Sequence, residues 1–348
     1  MRKIYHHLLI ASALALYLLI VVSGVVRITG SEISCPGWPL CGGSLIPPDG
    51  GALLELVNRL LTLVVGVAVV IVALMGWQMR HDEPDRWVWR PPLVAAVLLV
   101  GQALINAVAL WFDASWLFVV TMVGTQTVML ACLVIPVAAM HVEDHGIGKM
   151  MRSANPPNEI EVSQAKTYRM LVLGTMLASW VLVLIGGTVA GTGSGLACVG
   201  FPDCNGELLP TTGGIAVFIH MTHRFVAYTV VLLMLWVFIY TAIRRWRDYV
   251  LLQWVLLAGA LLMTQATLGG ANSLLAMPLI LRALHLAMAA AYWSSIVIFS
   301  LLVLRRPLLS GLDPSGRVIK GSGQSGQSGQ SGHSGKVSAA ASHSFADH

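Results

Sequence analysis

The chain has 348 residues, of which 56% are apolar and 11% charged, with a formal net charge of +5. A soluble domain carries about 45–50% apolar and about 25% charged residues, so a soluble globular enzyme, a disordered chain and a disulfide-dense secreted module are all excluded. What remains is an all-α integral membrane protein, because lipid admits only backbones that satisfy their own hydrogen bonds. No basic stripe interleaved with aromatics is present, so the positive charge does not point to nucleic acid.

Eight apolar segments are long enough to cross a bilayer, at roughly 20 residues per crossing: 8–29, 52–78, 92–112, 115–140, 169–191, 214–242, 250–270 and 278–304. The first is too long, and its end too unlike a small-residue cleavage site, for a removable signal peptide. Short stretches join the third span to the fourth and the seventh to the eighth, which predicts tight antiparallel hairpins. Orientation follows the Lys and Arg of the connecting loops. Arg2 and Lys3 precede the first span, and Arg80, Arg86 and Arg90 lie between the second and third. Lys149, Arg152 and Lys166 lie between the fourth and fifth, with Arg169 opening the fifth. Arg244, Arg245 and Arg247 follow the sixth, and Arg305 and Arg306 the eighth. All map to one side, which predicts a multi-pass protein of the cell's inner (plasma) membrane with both termini cytoplasmic. From Gly321 to Gly335 the chain repeats Ser-Gly-Gln, the composition of a flexible tail.

The chain matches itself at an offset of 163 residues: Gly24, Gly30 and Ser31 with Gly187, Gly193 and Ser194, Cys35 and Cys41 with Cys198 and Cys204, Pro39 with Pro202, and Gln102-Ala103 with Gln265-Ala266. The prediction is two pseudo-symmetric four-helix bundles side by side, related by an axis along the membrane normal. The N-terminal bundle occupies 1–141, a cytoplasmic linker 142–168, the C-terminal bundle 169–306 and the tail 307–348.

Intramembrane polar residues are the first functional candidates. Of eleven histidines, only His220, His223 and His285 fall inside spans. At 1.5 Å per residue, His223 and His285 lie roughly 10–13 Å below the outer surface. Their helices run in the same direction, so the two imidazoles can face each other as the axial pair of a haem; two unrelated histidines, each bonded to a carbonyl, is the plainer alternative. Arg27, Arg59, Arg224 and Arg282 lie near the outer ends of their spans, against the positive-inside bias. Haem propionates would hold such guanidinium forks there, and so would lipid headgroups. Glu55 is the one carboxylate placed inside a span, and it shares a helix face with Asn58. With a two-residue slip, Glu-x-x-Asn-Arg at 55–59 mirrors His-x-x-His-Arg at 220–224. Glu55 is either a general acid/base or a structural partner of Arg27 or Arg59. Cys35 with Cys41, and Cys198 with Cys204, fall in two outer loops, where an oxidising compartment predicts one disulfide per loop. Cys132 reads as a buried apolar filler.

Together these features resemble the haem A synthase family over about residues 8–305: two repeated bundles, paired outer-loop cysteines, Glu-x-x-x-Arg on the second helix, His-x-x-His-Arg on the sixth and a His on the eighth. The resemblance implies oxidation of the haem O methyl group to a formyl group, making haem A for terminal oxidases. It implies a b-type haem on His223 and His285 and substrate haem O in the first bundle beside a catalytic Glu55. Haem O synthase and terminal oxidase assembly factors are the implied partners. The family also carries histidines on the second and fourth helices, where this chain has Asn58 and Met122. A haem-binding relative without catalysis, used for electron transfer or haem delivery, is therefore the competing expectation. A repeat-built transporter needs broken helices and a midplane site, whereas these polar residues cluster at the outer edge.

Overall fold

The computed structural model describes residues 1–35, 41, 47, 49–109, 115–144, 159–210, 212–246 and 248–305. The described residues form eight long helices: α1 (Arg2–Thr29), α2 (Gly50–Met79), α3 (Arg86–Ala109), α4 (Ser115–Asp144), α5 (Glu159–Gly191), α6 (Gly214–Arg244), α7 (Tyr249–Leu274) and α8 (Leu279–Arg305). Each is apolar and long enough to cross a membrane, and each overlaps one of the eight expected spans, residues 110–112 of the third span lying outside the described residues. Pro39, Lys149, Arg152, Arg247, Arg306, the Ser-Gly-Gln tail and part of the linker lie outside the described residues.

Several helices extend past the apolar run, because polar residues continue or cap them. Asp49 accepts from Ala52 N at 2.9 Å and Asp248 from Leu251 N at 3.1 Å, capping α2 and α7. The third helix begins at Arg86, ahead of the expected 92, with Asp85 accepting from Trp87 N at 3.0 Å. Pro91 and Pro92 then lie inside it. Neither can donate to the carbonyl of Val88, and that carbonyl instead accepts the Tyr5 hydroxyl at 2.9 Å. The fifth helix begins at Glu159, ahead of the expected 169. At the outer ends of α1 and α5, Gly30 and Gly193 adopt φ of 68° and 69°, a left-handed conformation that any Cβ would strain.

The helix contacts reproduce the repeat. Within the halves α1 packs on α2 and α4, while α5 packs on α6 and α8; α2 meets α3 as α6 meets α7, and α3 meets α4 as α7 meets α8. Between the halves α4 packs on α5 and α8 on α1, with α4 and α8 touching each other at the axis. These are the pairings that a two-fold exchange of α1–α4 with α5–α8 demands. The seam is hydrogen-bonded as well as packed: Trp293 Nε1 donates to Thr127 O at 2.7 Å and the Tyr17 hydroxyl to Ala287 O at 3.0 Å. Such bonds count in lipid, where apolar burial does not drive helix association. At the C-terminal end of α8, Arg305 pairs with Asp85 and donates to Ala139 O, tying α8 to the first half.

Candidate functional site

Both candidate sites lie at the ends of the bundles that carry the disulfides. Cys35 is bonded to Cys41 and Cys198 to Cys204, as the spacing led one to expect. Each disulfide packs on the first turns of the following helix, against Ala52 and Leu56 in one half and Val217 and Met221 in the other. Those pairs correspond under the two-residue slip, so Glu55, Asn58 and Arg59 occupy the same helical positions as His220, His223 and Arg224.

In the second half, His223 on α6 lies against Gly186 of α5, and His285 on α8 lies against Gly269 of α7. A Cβ at Gly186 would come within 3.2 Å of His223 Cε1, and one at Gly269 within 3.1 Å of His285 Cε1. Both rings therefore occupy space that only glycine leaves. Each Nδ1 is buried without a hydrogen-bond partner among the described residues, a state that is costly unless a ligand or ion takes it up. Gln265 of α7 lies 3.0 Å from His285 Nε2. His220 is engaged elsewhere, its Nδ1 at 3.1 Å from Ser194 O.

The first half carries a different chemistry on the same positions. Glu55 is buried, accepting from Arg59 Nε at 2.9 Å and from Asn58 Nδ2 at 3.3 Å. Asn58 Oδ1 in turn accepts from Ser23 of α1 at 2.7 Å. Met122 is half-buried in α4. Beside Arg59 an open surface groove of about 560 Å³ follows the exposed face of α2, lined by Leu63, Gly66, Val67 and Val70 and touched by Leu99 of α3.

The outer arginines divide into two kinds. Arg59 NH2 donates to Cys35 O at 3.0 Å. Arg224 donates to Asp203 O, to Gly200 O at 2.9 Å, to Cys198 O at 3.3 Å and to Ser273 Oγ at 3.0 Å. Both clamp the disulfide loops onto the bundles. Arg27 lies over the Phe118 ring at 5.4 Å, and Arg282 is half-buried in the first turn of α8. Sequence reasoning missed Gly186, Gly269 and Ser23, although comparing the halves at the 163-residue offset pairs Ser23 with Gly186.

Residues 49–297 match the family model described as cytochrome oxidase assembly protein. The chain is similar to the "Heme A synthase" of Shouchella clausii, 29% identical over 273 residues, or 77% of this chain and 86% of the relative. That of Alkalihalophilus pseudofirmus is 26% identical over 272 residues, covering 77% and 85%. That of Lysinibacillus sphaericus is 33% identical over 237 residues, covering 66% and 71%.

Proposed function

The chain belongs to the cytochrome oxidase assembly protein family, and from that membership we propose that it acts as a haem A synthase, an oxidoreductase that converts the methyl group of haem O to a formyl group. The observation that carries this reading is the seating of His223 and His285 on helical glycines, with a buried ring nitrogen left unengaged on each. Two imidazoles cannot enclose a bare cation, but they complete the coordination of an iron that already has a porphyrin around it. They are thus the ligands of a b-type haem in the C-terminal bundle (169–306), and that haem, when bound, supplies one-electron transfer. Arg282 and Arg27 are the cations proposed to receive propionates. Arg59 and Arg224 act by holding the loops closed over the sites, which keeps water from the outer rim.

The N-terminal bundle (1–141) is the substrate side. Turning a methyl into a formyl group is an oxidation that replaces C–H bonds with a C=O bond, so it calls for an electron acceptor and a source of oxygen besides the protein's own groups; Glu55 is proposed to take up a proton released there. Arg59 and Asn58 hold its carboxylate in one orientation. The apolar groove beside Arg59 suits the long hydrocarbon tail of haem O. The reading places the protein in the inner (plasma) membrane with both termini cytoplasmic, next to a haem O synthase and the assembly factors of a terminal oxidase.

The test is pigment extraction after co-expression with a haem O supply. Wild type is expected to accumulate haem A, and Glu55→Ala to keep its b-type haem while making none. Haem A at the native rate in Glu55→Ala would remove Glu55 from the chemistry. Asn58 and Met122, which stand where the second half has histidines, favour one competing reading: a b-type haem protein for electron transfer or haem delivery. Under it the wild type yields a bis-imidazole spectrum and no haem A.

A further inference from the structure

Within this one chain, one half is a control for the other. His223 has Gly186 beside it; the residue at the His223 position in the first half is Asn58, and the residue at the Gly186 position is Ser23. The two exchanges fit together, because the serine hydroxyl fills the space that the glycine leaves and bonds the asparagine that replaces the ring. The fourth and third helices change in step at the sequence level, where Met122 stands opposite His285 and Asn106 opposite Gly269. Asn58 has both ends of its amide committed. Its oxygen accepts from Ser23 at 2.7 Å and its nitrogen donates to Glu55 at 3.3 Å. An amide so held, whose oxygen is a poor donor to iron in any case, is not available to a metal.

We propose that the first bundle binds its porphyrin without a ligand from α2, so that the two haem sites of the chain differ in spin state: low-spin between His223 and His285, high-spin and open on the α2 side in the first bundle. The proposal rests on the haem-handling function above and specifies its substrate site. On that proposal the open side is the one toward the Ser23–Asn58–Glu55 chain, and carbon monoxide is the probe for it.

The test uses the full chain, purified in detergent and titrated with ferric protoporphyrin IX as the probe. Electron paramagnetic resonance and carbon monoxide difference spectra of the reduced protein are the readouts. Wild type is expected to take one low-spin, CO-inert equivalent and a second that is high-spin and CO-reactive. Asn58→His alone is expected to leave the CO difference spectrum of the second equivalent unchanged, because Ser23 occupies the space an imidazole needs. Ser23→Gly with Asn58→His is expected to give that iron a single imidazole, which leaves it high-spin and CO-reactive but shifts its CO difference spectrum to that of an imidazole-ligated haem. The low-spin equivalent of the second bundle reports folding in every variant. Two CO-inert equivalents in wild type, failure to take a second equivalent, or an unchanged CO signal in the folded double variant would each overturn the proposal. The underlying reading fails separately: a low-spin equivalent that survives both His223→Ala and His285→Ala refutes the assigned haem ligands.

Discussion

The two bundles are built on the same backbone plan and differ where chemistry would occur. Each has a left-handed glycine ending its first helix, a disulfide loop, and an arginine on the next helix that fastens that loop. In the second bundle the arginine has no carboxylate one turn before it, and its donors go to loop carbonyls and Ser273. The first bundle splits its arginine between the loop and Glu55. His220 and the glycine-seated His223 stand where the first half has the hydrogen-bonded Glu55 and Asn58, and the glycine-seated His285 stands where it has Met122. Under the proposed function, a duplicated scaffold would hold two versions of one ligand, by iron coordination in one half and by polar and apolar contacts in the other.

The largest expected effect breaks this comparison at its centre. His223→Ala or His285→Ala should remove the low-spin Soret band of the purified protein, since a single imidazole leaves the iron without its second axial partner. Asn58→Ala should leave that band unchanged. A low-spin band that persists in both histidine variants would mean that the second bundle is no more a ligating site than the first.

Next in size are the loop-fastening arginines. Arg224 is buried and donates to the loop at several carbonyls. Arg224→Lys should lower stability by about 3 kcal/mol, as expected when charge-assisted bonds to buried groups are lost. Arg59→Lys should cost about 1 kcal/mol, because a lysine can still pair with Glu55. Thermal unfolding in detergent, with proteolysis of the 198–204 loop as a second readout, distinguishes them; equal shifts would mean the two clamps are equivalent.

Much of this arrangement was legible in the residues. An apolar run of crossing length has one outcome in lipid, so all eight spans were readable. His223, His285, Glu55 and the cysteine pairs stood out because ionisable or reactive groups are scarce in such a chain. Gly186 and Gly269 did not stand out. A glycine in a membrane helix ordinarily marks close helix packing, and its service to a ring on another helix depends on tertiary contact. The arginines carried two readings: charge against the positive-inside bias calls for an acceptor, and backbone carbonyls beside the disulfides serve Arg59 and Arg224, while propionates remain the proposed acceptors for Arg27 and Arg282. The start of α3 at Arg86 lies ahead of its apolar run at 92–112, and the helix continues through Pro91 and Pro92 with Tyr5 taking up the Val88 carbonyl. Gly186→Ala tests the ring-seating directly. It should destabilise the His223-ligated state by about 2 kcal/mol, the scale of one overpacked methyl, weakening haem retention roughly 30-fold on dilution.

The smallest expected difference is between two tyrosines that the repeat makes equivalents, Tyr5 and Tyr168, both fully buried. The Tyr5 hydroxyl serves the Val88 carbonyl, for which Pro91 and Pro92 provide no helical donor. Tyr5→Phe therefore leaves a buried carbonyl unsatisfied and should cost about 1–2 kcal/mol. The Tyr168 hydroxyl bonds Thr241 at 2.7 Å, and that threonine has its own helical acceptor in Val237 O, also at 2.7 Å. Tyr168 stacks on Tyr240 with ring centroids 4.7 Å apart, a contact that phenylalanine preserves. Tyr168→Phe should thus cost only about 0.5 kcal/mol, near the average for a hydrogen bond between membrane helices. Unfolding midpoints that fall equally in the two variants would show that the proline pair does not govern the Tyr5 bond. A larger loss at Tyr168 would place the sensitive contact in the second bundle.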